Sequence, residues 1–135
     1  MGEVILHRTG IYLAYPTSTI LKSIYPPKKY KTRVNDQHTM VGIARNSFLS
    51  RKRNYMRDFD NEIEFVPVAL IGMAFLVSAE EAVIEALRSH FSRVGRSKEW
   101  FMTSDRRKVF EIIVMTLKKS GIEHDVLLNE WEPSR

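Results

Sequence analysis

Three short apolar runs limit what this chain can fold into. Residues 10–15 read GIYLAY, residues 39–44 read TMVGIA and residues 63–71 read IEFVPVALI. Each is rich in β-branched and aromatic residues and too short for an ordinary helix, so each reads as a strand. Pro16 ends the first run, and Pro67 inside the third marks an edge or a bulge because it cannot donate to a ladder. Strands this short favour a small sheet that needs helices to cover it.

The helical signals fall between and after these runs. Asn46 or Ser47 can cap a helix running to about Phe59, with Phe48, Leu49, Tyr55, Met56 and Phe59 on one face. Ser78 with Glu81 three residues on matches a capping box. Val83, Ala86, Leu87, His90 and Phe91 then form an apolar face, with Ile84 beside it, and Gly95 ends this helix or the turn after it. A last helix is expected from near Ser104, carrying Val109, Phe110, Ile113, Val114 and Leu117, and stopping at Gly121. PTSTILKSI at 16–24 reads as a short helix, YPPKKYKTRVNDQ at 25–37 as a turn-rich basic connection, KEWFM as an extended piece and NEWEPSR as a loose tail. The order strand, strand, helix, strand, helix, helix predicts an α/β fold: a small three-stranded, largely antiparallel sheet flanked by helices. One domain is expected over 1–135, with the helix of about 104–120 packed on it.

Composition narrows the chemistry. The 135 residues include no cysteine, which excludes disulfide and thiolate chemistry and suits a reducing cytoplasm. The opening MGEVILHRTG carries Glu3 and no long apolar run, so no signal peptide is expected. FVPVALIGMAFLV, the most apolar stretch, has thirteen residues with a proline and a glycine, too short to span a bilayer. A cytoplasmic location is expected, or the host cytoplasm if the chain is phage-encoded. The formal charge of +5 and an isoelectric point of about 9.6 lean towards a polyanionic partner, DNA above all.

Arg45, Arg51, Lys52, Arg53 and Arg57 surround the helix that follows the second strand. Arginine suits phosphate, since its planar fork donates paired hydrogen bonds and keeps its charge. Such a cluster is also what a solvated basic face looks like. Glu81 has a local role at a helix start, whereas Glu85 beside an apolar stripe could offer a hard oxygen to magnesium. The four histidines show no ligand spacing, and there is no GxxxxGK or GxGxxG loop. Tyr12 and Tyr15 fall on opposite faces of their strand, so one can be core while the other reaches a site.

These segments together resemble the GIY-YIG nuclease superfamily. The resemblance rests on GIY at 10–12, on VGIARNSFLSRKRNY, and on EEAVIEALRSHF followed by SKEWF, as in short phage and bacterial members with an EWF segment. It covers about residues 9–102. It implies a metal-dependent DNA endonuclease that hydrolyses phosphodiester bonds with one Mg²⁺ or Mn²⁺ ion. Tyr12 would match the tyrosine of the first half-motif, Gly42 the glycine of the second, Arg51 the catalytic arginine and Glu85 the metal-binding glutamate. Tyr55 matches a residue often seen four after the arginine. The chain departs from the pattern where a second tyrosine is expected, because Met40 and Thr39 stand there. Tyr30 or His38 could return from the long connection to replace it, and His38 is the attractive proton acceptor. The step from Gly42 to Arg51 is one residue longer than the family's, which keeps Arg53 open as an alternative. The family's late asparagine has no equivalent, and Glu99 falls in that region. The alternative is a catalytically inactive nucleic-acid-binding module of the same fold. Specificity would come from loops such as 25–37, from a partner protein or from a homodimer.

Overall fold

The computed structural model describes residues 2–22, 32–95 and 97–127. Helix α1 spans Gly2–Leu6, followed by strands β1 (Gly10–Pro16), β2 (Ile20–Lys22), β3 (Thr32–Val34) and β4 (Thr39–Ala44). Helix α2 spans Phe48–Asp58 and strand β5 Ile63–Leu70. A 3₁₀ turn at Met73–Phe75 feeds α3 (Leu76–Arg88), and β6 (Trp100–Phe101), α4 (Arg106–Lys119) and β7 (Asp125–Val126) complete the order.

The main sheet has five strands in the order β6-β4-β1-β5-β7, every pair antiparallel, which corrects the expected three-stranded sheet. The three long apolar runs are its centre. The two added strands have two residues each, too few to show any alternation in sequence. Pairing alone creates them: Met40 faces Trp100, and Ala69 faces Val126. A second correction concerns residues 20–22, read as part of a helix. They form β2, which pairs with β3 through Ile20 and Val34. Ile20 and Val34 both pack into the core, and that burial outweighs local helix propensity. Tyr30, most of the 25–37 loop and the tail 129–135 lie outside the described residues.

Helices cover both sheet faces, which is why β4 is buried along its whole length. On one face Ile11, Leu13, Val41, Ile43, Val66 and Val68 pack against α3 and α4 through Leu76, Val83, Leu87, Val109 and Ile113. On the other, Tyr12, Ala14, Met40 and Phe65 pack against α2 through Phe48 and Phe59, with Ile5 and Leu6 of α1 at the margin. Tyr12 and Tyr15 do take opposite faces. Tyr15 lies at the edge of the α3–α4 core, where the Arg106 guanidinium sits 3.8 Å from its ring centre.

Local chemistry sets the helix ends. Ser47 caps α2, its Oγ accepting from Ser50 N at 3.0 Å. Asp105 caps α4 by accepting from Lys108 N at 3.0 Å, and Gly121, at φ +69°, takes the left-handed turn just beyond its end. Helix α3 departs from the expected capping box. It starts at Leu76, has no side-chain cap, and makes Ser78 an exposed member of its first turn. Leu76, Ala79 and Val83 are buried at helical spacing, so packing draws the helix start three residues upstream, with Phe75 rather than Ser78 at the cap position. Pro67 sits at a bulge: Ile11 pairs with Ala69 but Tyr12 with Pro67, leaving Val68 unopposed.

Candidate active site

Tyr12 is fully buried on the α2 side of β1, immediately after the bulge that sets its aim. Its cross-strand partner is Gly42 on β4. A β-carbon at Gly42 would lie 2.7 Å from Tyr12 Oη and 3.1 Å from the Met40 methyl. The phenol therefore lies over a backbone that only glycine leaves bare.

Helix α2 brings two side chains to that phenol. Arg51 and Tyr55 are four residues apart and share a helix face. Arg51 Nε donates to Tyr12 Oη at 3.1 Å, and the Tyr12 and Tyr55 hydroxyls lie 3.0 Å apart. Tyr55 in turn donates to Met40 Sδ at 2.9 Å. One proton arrangement satisfies all three contacts: Arg51 to Tyr12, Tyr12 to Tyr55, Tyr55 to the thioether. Burial raises the pKa of both phenols, more than the nearby Arg51 charge lowers it, so both are neutral at physiological pH. Met40 on β4 is thus the last acceptor of this hydrogen-bond chain, with a phenol from the neighbouring helix set against its thioether.

Arg51 also opens onto a cleft of about 330 Å³, shared with Arg45, Asn46, Ser50, Asn54, Glu80 and Glu99, and with Ile43 as its apolar member. Glu80 comes from α3. Glu99 comes from the turn before β6, and its backbone is fixed on both sides. Ser97, a buried polar residue, accepts from Glu99 N at 3.2 Å and Trp100 N at 2.9 Å, while Glu99 O accepts from Val41 N at 3.0 Å. Burial pushes the Glu99 carboxyl up to about 7, helped by a hydrogen bond and like charge from Glu80 and opposed by Arg51 and Lys98.

Among the described residues no group of three or more His, Cys, Asp or Glu could hold a metal ion. The cleft does offer two carboxyl groups in mutual contact, one held partly protonated at neutral pH. That donor set fits magnesium, which takes one or two carboxylates and leaves its other positions to water and phosphate.

The expected site residues divide into two sets. Arg51 and Arg45 line this cleft, and Tyr12, fully buried, does not reach it but bonds Arg51 from behind. Glu85 does not line it. It is exposed in an adjoining cleft of about 470 Å³ with Glu81, Ile84, Arg88 and Lys98, and only Glu80 and Glu99 border both. His38 lies beyond the far end of β4, four residues before Gly42, which is roughly 13 Å along a strand. There it lines a separate cleft with Met102 and Thr103, and its Nδ1 accepts from Asn35 N at 3.2 Å. Burial lowers its pKa. Lys52, Arg53 and Arg57 are outside the Arg51 cleft; Arg57 is exposed and paired with Asp58 at 3.1 Å. It is Arg51, not Arg53, that reaches Tyr12.

The sequence reading missed the joint role of Glu80 and Glu99. A signal existed for Glu80, which stands four residues before the buried Ile84 and so on an inward-facing stripe of α3. Glu99 was noted only through the resemblance, as a residue of structural role, because its place beside Glu80 depends on β6 pairing with β4 across sixty residues. No family model, no curated protein and no solved structure matches this chain.

Proposed function

We propose that this protein is a metal-assisted endonuclease that hydrolyses phosphodiester bonds of DNA, as its resemblance to the GIY-YIG nucleases implies. One observation carries this reading: Arg51, bonded to the buried Tyr12 phenol and close to the ring of Tyr55, opens onto the same cleft as the Glu80–Glu99 pair. Arg51 would bind the phosphoryl oxygens, on which negative charge grows during attack. Tyr12 and Tyr55 orient Arg51, and their raised pKa values make them hydrogen-bonding partners at rest rather than phenolates. The first turn of α2, which contributes Ser50 and Arg51, adds the positive end of a helix dipole. Glu80 and Glu99 would hold the divalent cation in place of Glu85. A bound cation supplies Lewis-acid stabilisation of the phosphoryl and leaving oxygens.

Plasmid nicking tests the reading. The wild-type protein should nick supercoiled DNA with Mg²⁺ or Mn²⁺ and not with EDTA. Arg51→Ala should lower the rate by about 10²- to 10³-fold. Glu80→Gln together with Glu99→Gln should abolish it, whereas Glu85→Gln should retain it. Loss of nicking in Glu85→Gln alone returns the cation to Glu85. The full burial of Tyr12 favours a second reading, a nucleic-acid-binding module that does not cut, because it gives the phenol no direct approach to water. DNA binding that depends on Arg51 without any metal-dependent nicking would establish that reading instead.

A further inference from the structure

We infer that the side of α2 next to Arg51 is a rail for the backbone of a single polynucleotide strand, with Ser50 and Asn54 as its uncharged contacts and Arg45 as its charged one. The inference rests on the phosphate-binding reading of the Arg51 cleft and adds the path of the substrate through it.

Ser50 and Asn54 are one helical turn apart, about 6 Å along the axis. That step is comparable with the distance between successive phosphates of one strand. Asn46, just ahead of the Ser47 cap, extends the row, and all three line the Arg51 cleft. A hydroxyl and two carboxamides provide neutral donors, the kind that position a sugar-phosphate backbone without reading its bases. With Ile43 as its apolar lining residue, the cleft is not shaped for a hydrophobic ligand.

The opposite wall argues for the same path. Glu80 and Glu99 border the cleft on the α3 side, and beyond them Glu81 and Glu85 line the adjoining one. A polyanion laid along α3 would meet these carboxylates, with Arg88 and Lys98 as the cations among the described lining residues. Along α2 it meets Arg45, Arg51 and neutral donors. The charge difference between the walls therefore selects the α2 side.

The salt dependence of binding separates the two kinds of contact. The probe is a fluorescein-labelled oligothymidylate of about twelve nucleotides, followed by anisotropy with Ca²⁺ from about 50 to 200 mM salt. The double variant Ser50→Ala, Asn54→Ala should weaken binding about five- to twentyfold at every salt concentration and leave the slope of log K against log salt unchanged. Arg45→Ala should flatten that slope by about 0.7, one phosphate contact on a single strand. Alanine is the better helix former at both replaced α2 positions, so α2 should persist, and circular dichroism checks that it does. A double variant that binds like the wild type overturns the rail, as does one whose slope changes. If the wild type nicks plasmid while the double variant binds normally, the rail fails and the nuclease reading stands. A wild type that neither binds nor nicks overturns both.

Discussion

At the scale of single residues, the site depends on what Gly42 lacks. A methyl there would sit 2.7 Å from Tyr12 Oη, and the phenol is fully buried. Gly42→Ala should therefore destabilise the fold by about 1–3 kcal/mol and reduce nicking through Arg51, measured by chemical denaturation and plasmid assay. A variant that keeps both stability and activity would show that the phenol can move. Glu99 gives a second expectation. Its carboxyl titrates at about 7 in the fold, against 4.5 for an unperturbed group. The folded state thus holds a proton that the unfolded chain releases, and the stability this provides is complete below about 4.5 and lost as pH rises through 7. The melting temperature of Glu99→Gln should fall less than that of the wild type between pH 5 and pH 8, and Mg²⁺ should stabilise the wild type more at the higher pH. Identical profiles for the two proteins would contradict this. Tyr12 and Arg51 were singled out in the sequence through the resemblance, and the structure brings the two side chains into contact. The Tyr55–Met40 contact was not legible, because it joins a helix to a strand through side-chain geometry that no spacing encodes.

At the scale of elements, α2 was legible nearly to the residue, because its capping serine and its apolar face agree. That cap carries a prediction. Ser47→Ala removes the acceptor for Ser50 N and should cost about 0.5–2 kcal/mol of stability, read by thermal melting. It should also slow nicking, since Arg51 belongs to the same turn; an unaltered rate would mean that Tyr12 alone fixes Arg51. The turn before β6 behaves likewise. Ser97→Ala removes the acceptor shared by Glu99 N and Trp100 N, in a buried position where those amides have little else to bond. Metal-dependent stabilisation should weaken in that variant more than DNA binding does. Strands β2, β3 and β7 escaped the sequence reading, and β6 was read only as an extended piece without a place in the sheet, for a common reason. With two or three residues each, they have no period of their own and exist only where a longer strand or a core site receives them.

At the scale of the whole molecule, the three layers put the Arg51 cleft where α2 and α3, which cover opposite faces of the sheet, meet beside the end of β4. No helix among the described residues is long and apolar enough to cross a membrane. If the Arg51 cleft is the nuclease site proposed, a single protomer should open one strand at a time, so nicked circles should accumulate before linear plasmid in a time course. Linear product without a nicked intermediate would mean that two protomers act together. The apolar runs foretold the centre of the sheet and a fold of mixed helices and strands; the number of strands, and the acidic side of the site, waited on contacts between distant parts of the chain. Those contacts also fix an order of events during synthesis. Tyr12, Met40, Arg51 and Glu80 leave the ribosome before Glu99, and β6 can pair with β4 only once Trp100 and Phe101 have followed some sixty residues behind Met40. A nascent chain therefore carries its arginine, its phenols and Glu80 for a time before the acidic pair is complete, and the two halves of the site are made at different moments.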